Sequence, residues 1–378
     1  MTKSQPELDI QLQTVKDPAL LRHTWLALQE KADCHYFLSW GWIESWLQQV
    51  QEAADIRLLS VMRQQQPVAL ALVPHARIRR RRVISSRCWY LNEYPLHGHN
   101  LVIEYNGLLI ARGEEQAVLQ ALLRWFAGQS KQVDEWLLGA VTDALCKSLR
   151  TAVTPPLRLL ENDASGCYQA DLAPAQEGFD SYLASLSRNS REQIRRSRRF
   201  YQQRGEIRLR AAQTAEQALA WLEAMKQLHQ SRWQAKGERG AFGNTNWEQF
   251  HRRLIAQRFD AGEVQMLCVR AGDHDFAYLY NHLWRKRVYV QQMGFAFEDD
   301  NRARPGYLAH ALAIVHNAAH GHQCYDFMHG EARYKRSLSH HKETLHWLTL
   351  QQPRWRFALE RAAVCQVRRW RGLSDDGQ

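Results

Sequence analysis

Two spacings of apolar residues alternate along this chain. Segments 20–28 and 40–50 repeat with a helical period and predict short helices; Trp42 and Trp46 share one face, as packing residues do. Segments 56–62 and 68–74 alternate as strands and predict a hairpin turning at 64–66. Further strands are predicted at 88–91, 108–111, 134–138 and 157–160, and helices at 114–126 and 143–149. In the second half, 179–186 predicts a helical connector. The stretch 188–204 predicts an arginine-rich helix whose few apolar residues are Ile194, Phe200 and Tyr201. Strands follow at 206–212, 263–270, 276–283 and 342–350. Thr214 with Gln217 forms a capping signal for a helix to 234, whose buried face repeats Leu222, Met225 and His229, and Asn244 starts a helix at 247–259. The polar stretch up to residue 16 is expected to be loosely ordered.

The densest information lies between 287 and 338. Segment 288–295 predicts a strand, and 298–304 a polar loop ending in Pro305-Gly306. Leu308, Ala311, Leu312, Val315 and Ala319 then mark one helix face, with Gly321 as its C-cap, before a short strand at 323–328. Strand, loop, helix and strand make a βαβ unit with two parallel strands. A helix start offers unpaired amides and the positive end of a dipole. Gly306 has no Cβ to hold a phosphate away, and Arg302 and Arg304 add charge, with Tyr307 and Leu308 in the first turn. This turn can cradle a phosphorylated cofactor, or it is an ordinary turn with solvated arginines.

Composition narrows the picture. The chain has 378 residues, 45% of them hydrophobic, enough for two modest domains or one large one. Its formal net charge of +11 favours anionic partners: phosphorylated cofactors, nucleic acid, anionic glycans or an acidic membrane surface. Seven scattered cysteines without a CxxC pair fit reduced thiols, and no stretch is apolar enough to span a membrane. These features predict a soluble, cytoplasmic protein. No GxSxG and no P-loop occurs. His316 and His320 are four residues apart, but no HExxH or Cys/His framework accompanies them, so no metal is expected. Segment 77–82 is a basic run. Segment 92–106 is a loop with Tyr94, His97, His99 and Tyr105 as binding candidates. The helix at 354–371 is basic and amphipathic; it docks on its domain or lies on an anionic membrane.

The order of segments resembles the coenzyme A half of the GNAT acyltransferase superfamily. The run from Asp326-Phe327 through Gly330 to Tyr334-Lys335 is similar to the DF-x-x-G-x-x-x-YK signature of the CelD-like acetyltransferases, relatives of the Fem-type aminoacyltransferases. Arg188-Asn189, Arg195-Arg196, Trp233, 37–42 and Glu104-Tyr105-Asn106-Gly107 extend the resemblance. The superfamily loop, Gln/Arg-x-x-Gly-x-Gly/Ala, has Ala303 and Leu308 at its first and last places here. The resemblance implies a mixed α/β fold of two GNAT-like domains, each a mostly antiparallel mixed sheet flanked by helices. Their expected bounds are 1–175 and 176–352, with a basic tail at 353–378. It also implies transfer of an acyl group from acyl-coenzyme A to an amine or hydroxyl, on a small molecule or glycan precursor. Aminoacyl-tRNA is the alternative donor. A non-catalytic module binding nucleic acid or another anionic surface through the arginine-rich helix is the rival from a different class. Tyr334 is the expected proton donor to the leaving sulfur. Asp326, His329 and Glu331, and Glu104 from the first half, are candidate bases. Lys335, Arg195, Glu104, Tyr105 and Asn106 are expected to hold the acceptor.

Overall fold

The structure, a computed structural model, describes residues 7–50, 52, 54–80, 84–96, 99, 100 and 103–370. Contacts divide the chain into two compact units, Met1–Ala164 with Leu345–Gln378, and Ser165–Thr344. The chain thus leaves the first unit after Ala164 and re-enters it at Leu345.

In chain order the elements begin with β1 (Asp9–Thr14), α1 (Pro18–Gln29), α2 (Trp40–Val50), β2 (Asp55–Arg63), β3 (Gln66–Arg80) and β4 (Ile84–Tyr90). The short strands β5 (Pro95–Leu96), β6 (His99–Asn100) and β7 (Leu109–Ile110) follow. Then come α3 (Glu115–Gly128), β8 (Glu135–Thr142), α4 (Asp143–Ala152) and β9 (Arg158–Asp171). The second unit continues with α5 (Phe179–Ser185), α6 (Arg188–Gln202), β10 (Ile207–Ala211), α7 (Ala215–Gln234), α8 (Thr245–Arg258) and β11 (Val264–Ala271). It ends with β12 (His274–Trp284), β13 (Arg287–Phe295), α9 (Pro305–Ala319), β14 (Cys324–His329) and α10 (Arg333–Leu338). The chain closes with β15 (His341–Gln351) and α11 (Trp355–Trp370).

In the first unit the strand order is β1-β2-β3-β4-β8-β15. The pairs are antiparallel except β4 with β8. Helix α3 forms the crossover between these two, as parallel pairing requires. Trp89, Phe126, Trp136 and Leu122 fill the core beneath it. The stretch before residue 16 is not loose throughout. Asp9–Thr14 pairs antiparallel with β2, because Ile10 and Leu12 alternate with polar residues and pack against that core. The basic run extends β3, where Arg80 pairs with Glu135 at 2.9 Å; Arg81 and Arg82 lie outside the described residues, as does His97.

In the second unit β10-β11-β12-β13 is an antiparallel meander. Strand β13 then runs parallel to β14, which pairs antiparallel with the end of β9. Helices α5, α6 and α9 share one core with the sheet. Met225 of α7 and Ile255 of α8 belong to a second core with Met266 and Tyr280. At the start of α7, Thr214 accepts from Gln217 N while Gln217 Oε1 accepts from Gln213 N, which gives the capping signal its physical content. His229 is buried, as the helical repeat predicts.

Helix α9 starts with Pro305 at its first position, where a missing N–H costs nothing. Gly321 follows it with φ +80°, the left-handed value a helix stop uses. Its buried surface is displaced from the face the sequence repeat predicts: Leu308 and Ala311 are buried, but Leu312 and Val315 are only partly so and Ala319 is exposed, while Ala309, His310, Ala313, Ile314, Asn317 and Ala318 are buried. Alanines on most sides let α5, α6 and the sheet approach at once.

Candidate functional site

The parallel strands β13 and β14 stay together for three pairs: Arg287 with Cys324, Val288 with Tyr325, and Tyr289 with Asp326. Beyond them β13 runs on to Phe295 and β14 to His329, with no further pairing between the two among the described residues. On its other edge β13 slips by one residue against β12. Gln292 faces Tyr280 and Val290 faces Asn281, so Gln291 is a bulge. A bulge bends and twists its strand. The result is an opening at the carboxyl ends of two parallel strands, where ligands of α/β sheets commonly sit. The crossover helix α9 begins at the same end.

The first turn of α9 is open. Its N-cap residue, Arg304, makes no side-chain cap bond, so the Gly306 and Tyr307 amides have no acceptor within the helix. The Arg304 amide donates to Ser197 Oγ of α6 at 3.1 Å, which fixes the turn against the arginine-rich helix. The other residues of the turn have local duties. Arg302 is held by Asp300 at 2.6 Å. A Cβ on Gly306 would stand 3.1 Å from the Phe295 ring, a close contact that would press on that ring. Tyr307 donates its hydroxyl proton to Ser337 Oγ at 3.2 Å. Leu308 is fully buried, and its amide closes the turn onto Arg304 O. Arg195 is exposed and pairs with Glu192 at 3.5 Å on the outer face of α6.

Tyr334 bridges the opening. Its hydroxyl lies 3.3 Å from Met293 Sδ on β13, and its ring meets Phe327 of β14 edge-on at 6.1 Å. Both neighbours lie past the last residues that pair β13 with β14. Burial pushes the phenol well above its ordinary range, so it keeps its proton. Under it, His310 of α9 stacks parallel at 5.2 Å. His310 Nδ1 shares a hydrogen bond with the Tyr325 hydroxyl at 3.0 Å, and Nε2 is buried without a partner among the described residues. Burial, with the Lys335 charge nearby, lowers this imidazole to about 3, so it is neutral.

The rest of the signature organises the end of β14. Asp326 is fully buried, pairs with Arg287 at 3.2 Å and accepts from Met328 N at 2.8 Å. Met328 has φ +61° and Gly330 φ +119°, so the chain turns sharply here. Lys335 is buried and gives its ammonium to the carbonyls of Met328 and His329. Glu331 is half-exposed, accepts from the Tyr168 hydroxyl and pairs with Lys342 at 3.2 Å. The Tyr168 bond comes first among the causes that hold its carboxyl below the usual range, opposite to what a general base needs near neutrality.

Glu104, Tyr105 and Asn106 belong to the first unit, where they are buried. There β4 and β8 also part after three pairs. The chain fills the place itself: Asn106 N donates to Ala140 O at 3.0 Å, Asn106 Nδ2 donates to Leu91 O at 2.7 Å, and Asn92 Nδ2 donates to Asn106 Oδ1 at 3.0 Å. Tyr105 stacks on His35 at 4.1 Å. Tyr105 and Asn106 also wall a cavity of about 860 Å³ that reaches α3 and α4.

Residues 188–336 match the family model described as Acetyltransferase (GNAT) domain. This stretch is similar to that family's domain. No curated protein matches the chain. Among solved structures it is similar to FemX, at 10% identity and a TM-score of 0.56, over 89% of this chain and 96% of that one. It is also similar to a conserved protein of unknown function from Bacteroides thetaiotaomicron VPI-5482, at 13% identity and a TM-score of 0.55, over 90% and 100% of the two chains. Among the described residues the architecture is mixed α/β, with mixed sheets flanked by helices. Within residues 188–336, sequence reasoning missed His310, Ser197, Arg287 and Met293. His310 had one signal, a titratable residue inside an apolar helical repeat. The others become visible when the strands pair and α6 meets α9. Among the described residues no group of three metal-ligating side chains gathers, although His316 and His320 stand 4.2 Å apart by ring centroids.

Burial makes this fold acid-sensitive. His282 and His310 are fully buried, and burial holds both at about 3. Each is neutral when folded and takes a proton near pH 6.5 when unfolded. Their stabilisation is complete above pH 6.5 and falls as pH drops from there toward 3, by up to about 1.4 kcal/mol per pH unit per histidine. Urea melts at pH 7, 6 and 5 should show this slope, and His310→Gln should remove about one proton's share of it. An unchanged slope would mean that His310 is charged in the fold.

Proposed function

We propose that the GNAT domain transfers an acyl group from acyl-coenzyme A to an amine or hydroxyl acceptor. The observation that carries this is the opening past Tyr289 and Asp326, with an uncapped helix start at the same end and a protonated phenol across it. In this reading the Gly306 and Tyr307 amides bind the diphosphate of the donor. The acceptor's lone pair attacks the thioester carbon, the C–S bond breaks, and Tyr334 gives its proton to the departing sulfur. His329, at the end of β14, takes the proton the acceptor loses; an imidazole needs the least tuning for that task. Lys335 and Asp326 hold the strand end that carries these groups. The CelD-like resemblance favours an acceptor in polysaccharide or cell-envelope precursor metabolism.

A second donor, aminoacyl-tRNA, is favoured by one observation. Arg302 is bound to Asp300 and Phe295 fills the space beside Gly306, so the turn offers less charge and room than a diphosphate cradle uses. Titration calorimetry separates the two. Acetyl-coenzyme A is expected to bind with a Kd of about 1 μM to 1 mM, the span of common substrate affinities. Transfer that proceeds with no thioester present, together with no such binding, overturns the first reading. A tRNA affinity that falls steeply with salt would establish the second.

A further inference from the structure

We propose that α11 is a docking surface for an anionic lipid bilayer. Its side toward the first unit is fixed. Phe357 is 1% exposed, and Asp134 receives both Arg354 at 2.8 Å and Arg356 at 2.6 Å. Arg80 pairs with Glu360 at 3.1 Å, and Arg361 donates to Gln351 Oε1 at 2.9 Å. These contacts leave the opposite side outward. That side carries Trp355 at 75% exposure and Leu359 at 59%, with Ala358, Ala362 and Ala363 exposed between and beyond them. The spacing i, i+3, i+4, i+7, i+8 makes one continuous apolar stripe. By the same repeat Trp370 continues it in the sequence. Among the described residues, nothing in the first unit covers a tryptophan that is three-quarters exposed.

Charge selects the occupant. From 354 to 371 the sequence holds six arginines and a single acid, Glu360, in a chain of net charge +11. Arg368, Arg369 and Arg371 follow the anchored part in the sequence. A second copy of this chain would bring the same positive charge to the contact, which opposes pairing. A bilayer with acidic headgroups accepts the arginines not engaged by Asp134 and Gln351, while its acyl boundary takes Trp355 and Leu359. The helix has 16 residues, about 24 Å by its rise, and lies in the plane of the surface. Among the described residues no helix is long and apolar enough to cross a membrane. The inference is independent of the acyltransferase reading.

The test is co-flotation of the full chain with phosphatidylcholine vesicles, with and without phosphatidylglycerol. The native chain is expected to float with the phosphatidylglycerol vesicles, less so as salt rises, with Trp fluorescence shifting to the blue. Trp355→Ser with Leu359→Ser should weaken partitioning about tenfold or more, from the apolar area no longer buried. Arg368→Gln with Arg369→Gln should weaken it about fivefold per arginine. Both serine replacements are at exposed positions, so thermal melts should match the native chain. Equal partitioning of the native and Trp355/Leu359 variant chains, or equal binding to both vesicle types, overturns the proposal. So does a concentration-dependent dimer that the serine variant abolishes, since a second copy would then cover the stripe.

Discussion

Asp326→Ala should lower the unfolding free energy by about 3 kcal/mol, the low end of the cost of breaking a buried ion pair. The low end applies because Arg287 is 28% exposed and water can reach it, whereas Asp326 is not exposed at all. A second loss adds to the first. Met328 holds φ +61°, a value that costs a non-glycine residue about 1–2 kcal/mol, and its amide is secured by Asp326. Without the carboxylate the turn after β14 relaxes, and with it the carbonyls that Lys335 caps. Asp326→Asn keeps an acceptor for the Met328 amide and loses the charge, so it should cost roughly half as much. Urea unfolding of the three proteins checks the order. An inactive, destabilised Asp326→Asn points to positioning. An inactive variant with native stability would make Asp326 a base and sink this account.

The βαβ unit was legible because its apolar period changes twice within 288–328, and a helix between two strands is the usual crossover of a parallel pair. The signature was legible as a motif, but its duties were not. Asp326 and Lys335 look like a base and an anion anchor in sequence; in the fold both hold the end of β14, and that depends on a partner, Arg287, 39 residues away. Strand β9 was underestimated at 157–160. Its extension to Asp171 is polar at Glu161–Ala164, and its end becomes a strand by pairing with β14, which local pattern does not encode. The six-residue helix α10 is too short for a periodic signal. Glu104, Tyr105 and Asn106 looked like binding residues for the opposite reason. A polar cluster in a loop suggests a ligand, yet Asn92 and Asn106 satisfy each other and the backbone in the interior.

Tyr334→Phe should reduce the rate of acyl transfer by about 10²–10⁴-fold, the usual worth of a positioned acid. The fold should hardly notice. The hydroxyl's contact is the Met293 thioether, a weak acceptor, while the ring keeps its stack on His310, so stability should change by less than about 0.5 kcal/mol. The phenol is also unsuited to act as a base, since burial raises it and keeps it protonated. The native rate should therefore rise with pH as the acceptor loses its proton, and reach a plateau with no fall on the alkaline side below about pH 10, the ordinary phenol value. Substrates with better thiol leaving groups need less help from an acid, so the deficit of the phenylalanine variant should shrink with them. A variant that keeps the native rate on acetyl-coenzyme A, or one whose deficit is the same for every leaving group, removes the proton-donor role. The opening between β13 and β14 would then have to act by orientation and by the α9 amides alone.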